Sequence, residues 1–207
     1  MVRANRDGER VNKMTATEIY EKIKIGFGDA VSALNAENID PFLIVTQPAR
    51  LPELARFLHD DPELDLTSLM CLSGTDDGTT LGVVYNLCSM KKKHRFTVKI
   101  EGLDRENPHV PTVEKIWPTA NWHEREAYDM FGIIFDEHSD LRRILCPDDW
   151  EGWPLRKDYQ VQEFWHGIRV PYPAGEDPDR GKYIYRGIPE KPYPAPRRPD
   201  DVDMTTT

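Results

Sequence analysis

With 207 residues, 39% of them hydrophobic and 30% charged, the chain suits one domain plus extensions, with an apolar core in only part of its length. A formal net charge of −9 argues against a nucleic-acid binder that relies on phosphate contacts. No apolar run approaches the roughly 20 residues that span a bilayer, and the opening MVRANRDGER lacks the apolar stretch of a signal peptide, so membrane contact is expected only through a partner.

Residues 1–14 are polar and read as a flexible arm. Thr15 to Leu34 has helical periodicity, with Ile19, Ile23, Phe27, Ala30 and Leu34 near one face, and Gly26 and Gly28 as points where it breaks. Phe42 to Val45 is a short strand after Pro41. Pro48 to His59 is a helix, its prolines near the start and Leu54, Phe57 and Leu58 turned inward. Leu66 to Leu72, Thr80 to Cys88 and Arg95 to Ile100 follow as strands, with turn chemistry at Asp76-Asp77-Gly78. In the last of these, Phe96, Val98 and Ile100 alternate with Thr97 and Lys99. The fold class expected is α+β: a largely antiparallel or mixed sheet flanked by helices, over residues 15–160. The basic run Lys91-Lys92-Lys93-His94-Arg95 reads as a solvated tip or edge-strand guard, with docking to an acidic partner as the alternative. Asp104 to Pro111 is expected to be loop, and Thr112 to Trp117 a short helix ended by Pro118.

The stretch Glu124 to Leu145, EREAYDMFGIIFDEHSDLRRIL, organises the rest. Its first half is predicted to be a helix with Asn121 as N-cap, Glu124 completing a capping box, and Gly132 as the left-handed residue at the C-terminal end. Met130, Ala127, Phe131 and Tyr128 share one face, while Arg125, Glu126, Asp129 and Trp122 take the other. Glu124 falls on the apolar side, so it needs a partner, and Arg142 or Arg143 is the cation expected. Arg125 and Asp129 are spaced as an i,i+4 pair. Ile133 to Phe135 and Leu141 to Leu145 are short apolar segments.

Beyond Cys146 ten of the 17 prolines lie in residues 147–207, alongside aromatic residues from Trp150 to Tyr193. Disordered linkers are poor in aromatics. Residues 161–207 therefore read as a long extended proline- and aromatic-rich C-terminal tail that lies along a partner surface.

The motifs resemble the 30 kDa-type subunit family of respiratory NADH:quinone oxidoreductase (complex I). The resemblance rests on Glu124-Arg125-Glu126, Asp129-Met130-Phe131, His138, Arg142, Arg143, Ile144 and Leu145, and on Gly152-Trp153-Pro154-Leu155-Arg156-Lys157-Asp158-Tyr159. It runs from about Phe42 to Tyr159. The two motifs together are highly specific. The resemblance implies a component of an NADH:quinone oxidoreductase with no catalytic site of its own. Such a chain is a non-redox scaffold of the peripheral arm that docks and positions the quinone-site subunit beside neighbouring iron–sulfur subunits. It implies no cofactor in this chain, with FMN, iron–sulfur clusters and quinone held by partner subunits. It places the chain at the cytoplasmic face of the cell inner membrane. The equivalent subunit of a related membrane-bound hydrogenase or other dehydrogenase would carry the same motifs.

Other chemistry has weaker support. Cys71, Cys88 and Cys146 are widely spaced, without a Cys-x-x-Cys pair, and read as reduced thiols. No phosphate-binding glycine loop or nucleophile elbow occurs. A free-standing metal-dependent hydrolase would have to use Glu126, Asp129 and His138, but His123 points away from the two carboxylates and no second ligand-bearing helix is visible. His138 alone suits a hydrogen-bonding role better than a proton relay. Arg142, Arg143, Arg156 and Lys157 are divided between internal pairing and partner contacts.

Overall fold

The computed structural model describes residues 13–37, 40–162, 164–166, 168 and 169, which fall in two compact units divided between Gln160 and Val161. In the second unit Phe164–Trp165 (β7) pairs antiparallel with Ile168–Arg169 (β8). The hairpin's turn passes through His166 at φ 49°. The rest of the tail, and the arm before Lys13, lie outside the described residues.

In the first unit α1 (Ala16–Phe27) opens with a capping box not foreseen: Glu18 N–H donates to Thr15 Oγ1, and Thr15 N–H donates to Glu18 Oε2. The helix stops at Gly28 and does not continue to Leu34. Val31 and Asn35 instead bridge to Val45 and Phe42 in extended chain. Glycine costs about 1 kcal/mol in a helix interior relative to alanine, and Gly26 and Gly28 come together at this end. Strand β1 (Phe42–Ile44) leads through a 3₁₀ turn, Pro48–Arg50, into α2 (Leu51–Asp60), which buries Leu51, Leu54, Ala55 and Leu58.

The central sheet has the order β1-β4-β3-β2. Strands β2 (Ser68–Asp76), β3 (Leu81–Cys88) and β4 (Arg95–Leu103) form an antiparallel meander, and β1 joins β4 in parallel, so the sheet is mixed. Phe96, Val98 and Ile100 are buried, as their alternation predicts. Asp77 turns the β2–β3 hairpin by accepting from Thr79 and Thr80 N–H. In the basic β3–β4 connection Lys91 and Lys93 are exposed, but His94 is not part of the tip. It is buried, with Nε2 2.6 Å from Leu64 O and Nδ1 accepting Met14 N–H, and so braces the core.

Two further expectations are corrected beyond β4. His109–Pro111, expected as loop, is β5, parallel to β6 (Ile134–Asp136). Thr112 to Trp117 is a turn, not a helix. Val113 O accepts from both Ile116 and Trp117 N–H, and Thr112 Oγ1 captures Glu114 N–H. Trp117 is buried and donates Nε1–H to Leu66 O, which pins the turn onto the core. Helix α3 (Ala120–Phe131) packs on β2. Residues of α1, α2, the four-stranded sheet, the Trp117 turn and α3 share one apolar core. Among the described residues no helix is long and apolar enough to cross a membrane.

Candidate functional site

The site is the charged surround of α3. Its C-terminal end is as the sequence predicts: Gly132 has φ 72°, and its N–H donates to Tyr128 O at 2.7 Å. The Trp153 indole lies where a Cβ at Gly132 would be, so both backbone sign and space select glycine. The N-terminal end differs. Thr119 is the N-cap and its side chain makes no capping bond. The Asn121 amide instead donates to Glu114 Oε2 at 2.7 Å and to Ser139 Oγ.

Glu124 is fully buried, as its place on the wheel predicts, but no arginine reaches it. Its carboxyl is bonded to Thr112 Oγ1–H at 2.5 Å and Val113 N–H at 2.9 Å. Burial pushes its pKa up to about 7 against those two hydrogen bonds, and the nearby Glu114 charge adds to the rise. Glu114 goes the other way: burial raises it, but bonds from Asn121 and Ser139 outweigh that and hold it below the ordinary range. The His138 side chain, fully shielded from solvent, stands between them, with Nε2 3.5 Å from Glu114 Oε2 and 3.9 Å from Glu124 Oε2. His138 Nδ1 accepts Asp140 N–H, which leaves the ring proton on Nε2, directed to Asn121 O at 3.1 Å. The histidine therefore has acid neighbours that the sequence did not reveal. The His138 and Glu124 side chains are closed to solvent, and with Glu114 they fasten the 136–140 turn to α3.

Asp129 sits on the face of the helix read as solvated, yet it is fully buried. One oxygen accepts from the N–H groups of Ile144, Leu145 and Cys146 at 2.9, 2.6 and 2.9 Å. The other accepts from Arg143 Nη1 at 2.8 Å. Burial would raise its pKa, but these N–H groups and the guanidinium hold it below the ordinary value. Arg143 also donates to Trp150 O and Gly152 O and lies 4.5 Å from the Trp153 ring. So Arg143 serves Asp129, not Glu124, and the expected Arg125–Asp129 pair does not form. Arg125, also buried, stacks on exposed Trp122 and approaches Asp140 at 3.7 Å. Arg142 is exposed and pairs with Asp140. The reason is the path of the chain: residues 140–146 fold back along the outer side of α3 and bury what an isolated helix would leave wet.

A third set ties down the second motif. Asp76, at the end of β2, accepts from Arg105 Nη1 at 2.5 Å and from Lys157 N–H at 2.8 Å. The Arg105 guanidinium beside it, with the Lys157 and Gly78 N–H groups, holds Asp76 far below the carboxylate range despite its burial. Arg105 also binds Asp158 at 2.6 Å. Arg156 donates to Phe131 O and Arg105 O. Tyr159 OH accepts from Trp150 Nε1 at 3.0 Å, and half-buried Pro154 follows Trp153. Glu126 is exposed. Among the described residues no three His, Cys, Asp or Glu side chains converge as a metal site. Asp129 faces backbone N–H groups and His138 faces Glu114, so the hydrolase trio Glu126, Asp129 and His138 is not gathered. Reading the sequence missed Thr112, Glu114, Asp76 and Arg105. Asp76 and Glu114 are ordinary turn residues in sequence, and only their distant partners reveal them.

Fold and site together define an α+β domain in which most of the motif charges are turned inward as clasps around one helix. Residues 44–164 match the family described as respiratory-chain NADH dehydrogenase, 30 Kd subunit. A relative from Chloroherpeton thalassium, named as the C subunit of NADH-quinone oxidoreductase, is 52% identical over 155 residues, 74% of this chain and 64% of that one. One of the same name from Chlorobium phaeobacteroides is 50% identical over 160 residues, 76% of this chain and 96% of its own. The solved trypsin-resistant fragment (1–134) of Nqo5 superposes with a TM-score of 0.51 at 26% identity, covering 61% of this chain and all of that one. The chain belongs to the respiratory-chain NADH dehydrogenase 30 kDa subunit family.

Proposed function

We propose that this chain is the 30 kDa-type component of a proton-translocating NADH:quinone oxidoreductase, a scaffold in its peripheral arm. It docks other subunits of the complex, above all the quinone-site subunit and neighbouring iron–sulfur subunits, and performs no redox step itself. The observation that carries the reading is the 50% identity over 96% of a relative named as the C subunit of NADH-quinone oxidoreductase. The geometry agrees: the motif residues Glu124, Asp129, His138 and Arg143 hold the fold together, and leave outward-facing side chains such as Trp122 and Arg142 for contact. On this reading FMN, iron–sulfur clusters and quinone belong to partner subunits, and membrane contact at the cytoplasmic face of the inner membrane is made through them.

The test is deletion and complementation. Membranes lacking the chain should lose NADH:quinone reduction while their flavoprotein subunits still pass electrons from NADH to ferricyanide. Restoring the chain should restore quinone reduction. Unchanged NADH:quinone activity in the deletion strain would overturn the proposal.

A further inference from the structure

Beside the C-terminal end of α3 lies a cleft of about 600 Å³. Tyr128 and Trp153 line it, their rings 5.3 Å apart in an edge-to-face pair, together with Ile134. Arg156 and Arg105 line it too, with Glu106 and Asp158, the last of these paired with Arg105. The apolar lining suits a side chain, and the charges would set its orientation.

Arg156 is half-buried, and it differs from the other shielded arginines of the domain. Arg105 has Asp76 and Asp158, Arg125 has Asp140, and Arg143 has Asp129. Among the described residues Arg156 has no carboxylate within ion-pair distance. Its Nε and Nη1 donate to the carbonyls of Phe131 and Arg105, and its Nη2 makes no hydrogen bond there. Burial, with the Arg105 charge nearby, pushes its pKa below the ordinary value, and the more distant Asp158 and Asp76 carboxylates offset this only in part. A half-buried cation whose nearest carboxylates stand beyond ion-pair distance gains when a partner supplies a closer one. A guanidinium whose position is fixed by two carbonyls is preorganised for a carboxylate oxygen.

We propose that the cleft receives an acidic segment of a partner subunit. An aspartate or glutamate of that segment pairs with Arg156, and an adjoining apolar side chain packs against Tyr128 and Trp153. The proposal rests on the scaffold reading above and names the chemistry of one of its contacts. Glu106 and Asp158 both oppose the incoming carboxylate, but Asp158 is paired with Arg105, whereas Glu106 is exposed with no ion pair among the described residues and sets a brake that a substitution can release.

The test uses the full chain in its own membranes. Placing photoreactive benzoylphenylalanine at position 106 and irradiating should attach the chain to one partner subunit, within a few residues of an aspartate or glutamate. In parallel, the chain is added back to membranes from the deletion strain. Glu106→Lys should bind about two- to fivefold more tightly at low salt, with the gain fading at high salt. Arg156→Gln should bind about tenfold more weakly or worse. Should Arg156→Gln fail to fold, Glu106→Lys and the crosslink carry the test. Attachment to the chain's own tail, to lipid, or to a partner segment without a carboxylate would overturn the proposal, as would unchanged or weaker binding of Glu106→Lys. In those cases the chain still co-purifies with the dehydrogenase and the scaffold reading stands. A chain absent from the dehydrogenase altogether would overturn both.

Discussion

Glu124 offers a stability test with a definite sign. Its carboxyl titrates near 4.5 in an unfolded chain and at about 7 in the fold, because it is buried with no cation beside it. Between these values the folded state keeps a proton that the unfolded state has released. Stability from this group therefore falls as pH rises from about 4.5 to about 7, and is level above that. One pH unit corresponds to about 1.4 kcal/mol, so the fall is about 3 kcal/mol. Glu124→Gln mimics the protonated form and cannot titrate. Its oxygen accepts the Val113 N–H and its amide reaches Thr112 Oγ1, the two positions Glu124 uses. Urea unfolding of both proteins from pH 4 to 8 gives the difference profile, which removes the contribution of every other carboxylate. The variant should match the wild type near pH 4 and exceed it by about 3 kcal/mol at pH 8. Parallel profiles, or a variant weaker at every pH, would refute a protonated, arginine-free Glu124. Glu124→Ala should cost about 2–4 kcal/mol, because Val113 N–H and Thr112 lose their partner and a cavity opens. Glu126→Ala, on the exposed side, should stay within about 0.5 kcal/mol.

Four other substitutions probe the remaining contacts of α3 and the second motif. Asp129→Ala should cost about 3–5 kcal/mol in denaturant unfolding, because it strands Arg143 and three backbone N–H groups, whereas Arg142→Ala should be nearly neutral. Gly132→Ala forces a side chain onto the Trp153 indole at φ 72°, and should lower stability by more than about 1 kcal/mol and quench the native tryptophan signal. Asp76→Ala removes the acceptor of Lys157 N–H and the partner of Arg105, so limited trypsin digestion should cut after Arg156 or Lys157 faster than in the wild type, with β2–β4 left intact.

Much of this was legible in the residues. Alternation located β3 and β4, helical periodicity located α2 and α3, and Gly132 marked where α3 ends. The wheel also placed Glu124 in the core. It gave the wrong partner because it supplied a cation by proximity in sequence. The actual partners, Thr112 and Val113, arrive from the turn before the helix, and a carboxyl protonated near neutrality needs no arginine. Asp129 was misread for a related reason. A wheel treats a helix as standing in water on one side, and residues 140–146 cover that side. The short parallel pair β5–β6 has three residues per strand and partners 25 positions apart, which leaves no periodicity to detect. The resemblance of the two motifs identified the family, and the structure adds that most of their charges are internal ties.

On the reading proposed above, the chain works as a scaffold within an NADH:quinone oxidoreductase. The most direct measurement is affinity purification of the tagged full chain from native membranes under mild detergent, with the subunits identified and the flavin and iron counted. The expected preparation reduces quinone with NADH, contains the quinone-site and iron–sulfur subunits in stoichiometric amount, and leaves the chain itself colourless and metal-free once dissociated. A chain recovered alone, or one that retains stoichiometric metal or flavin after dissociation, would contradict the account.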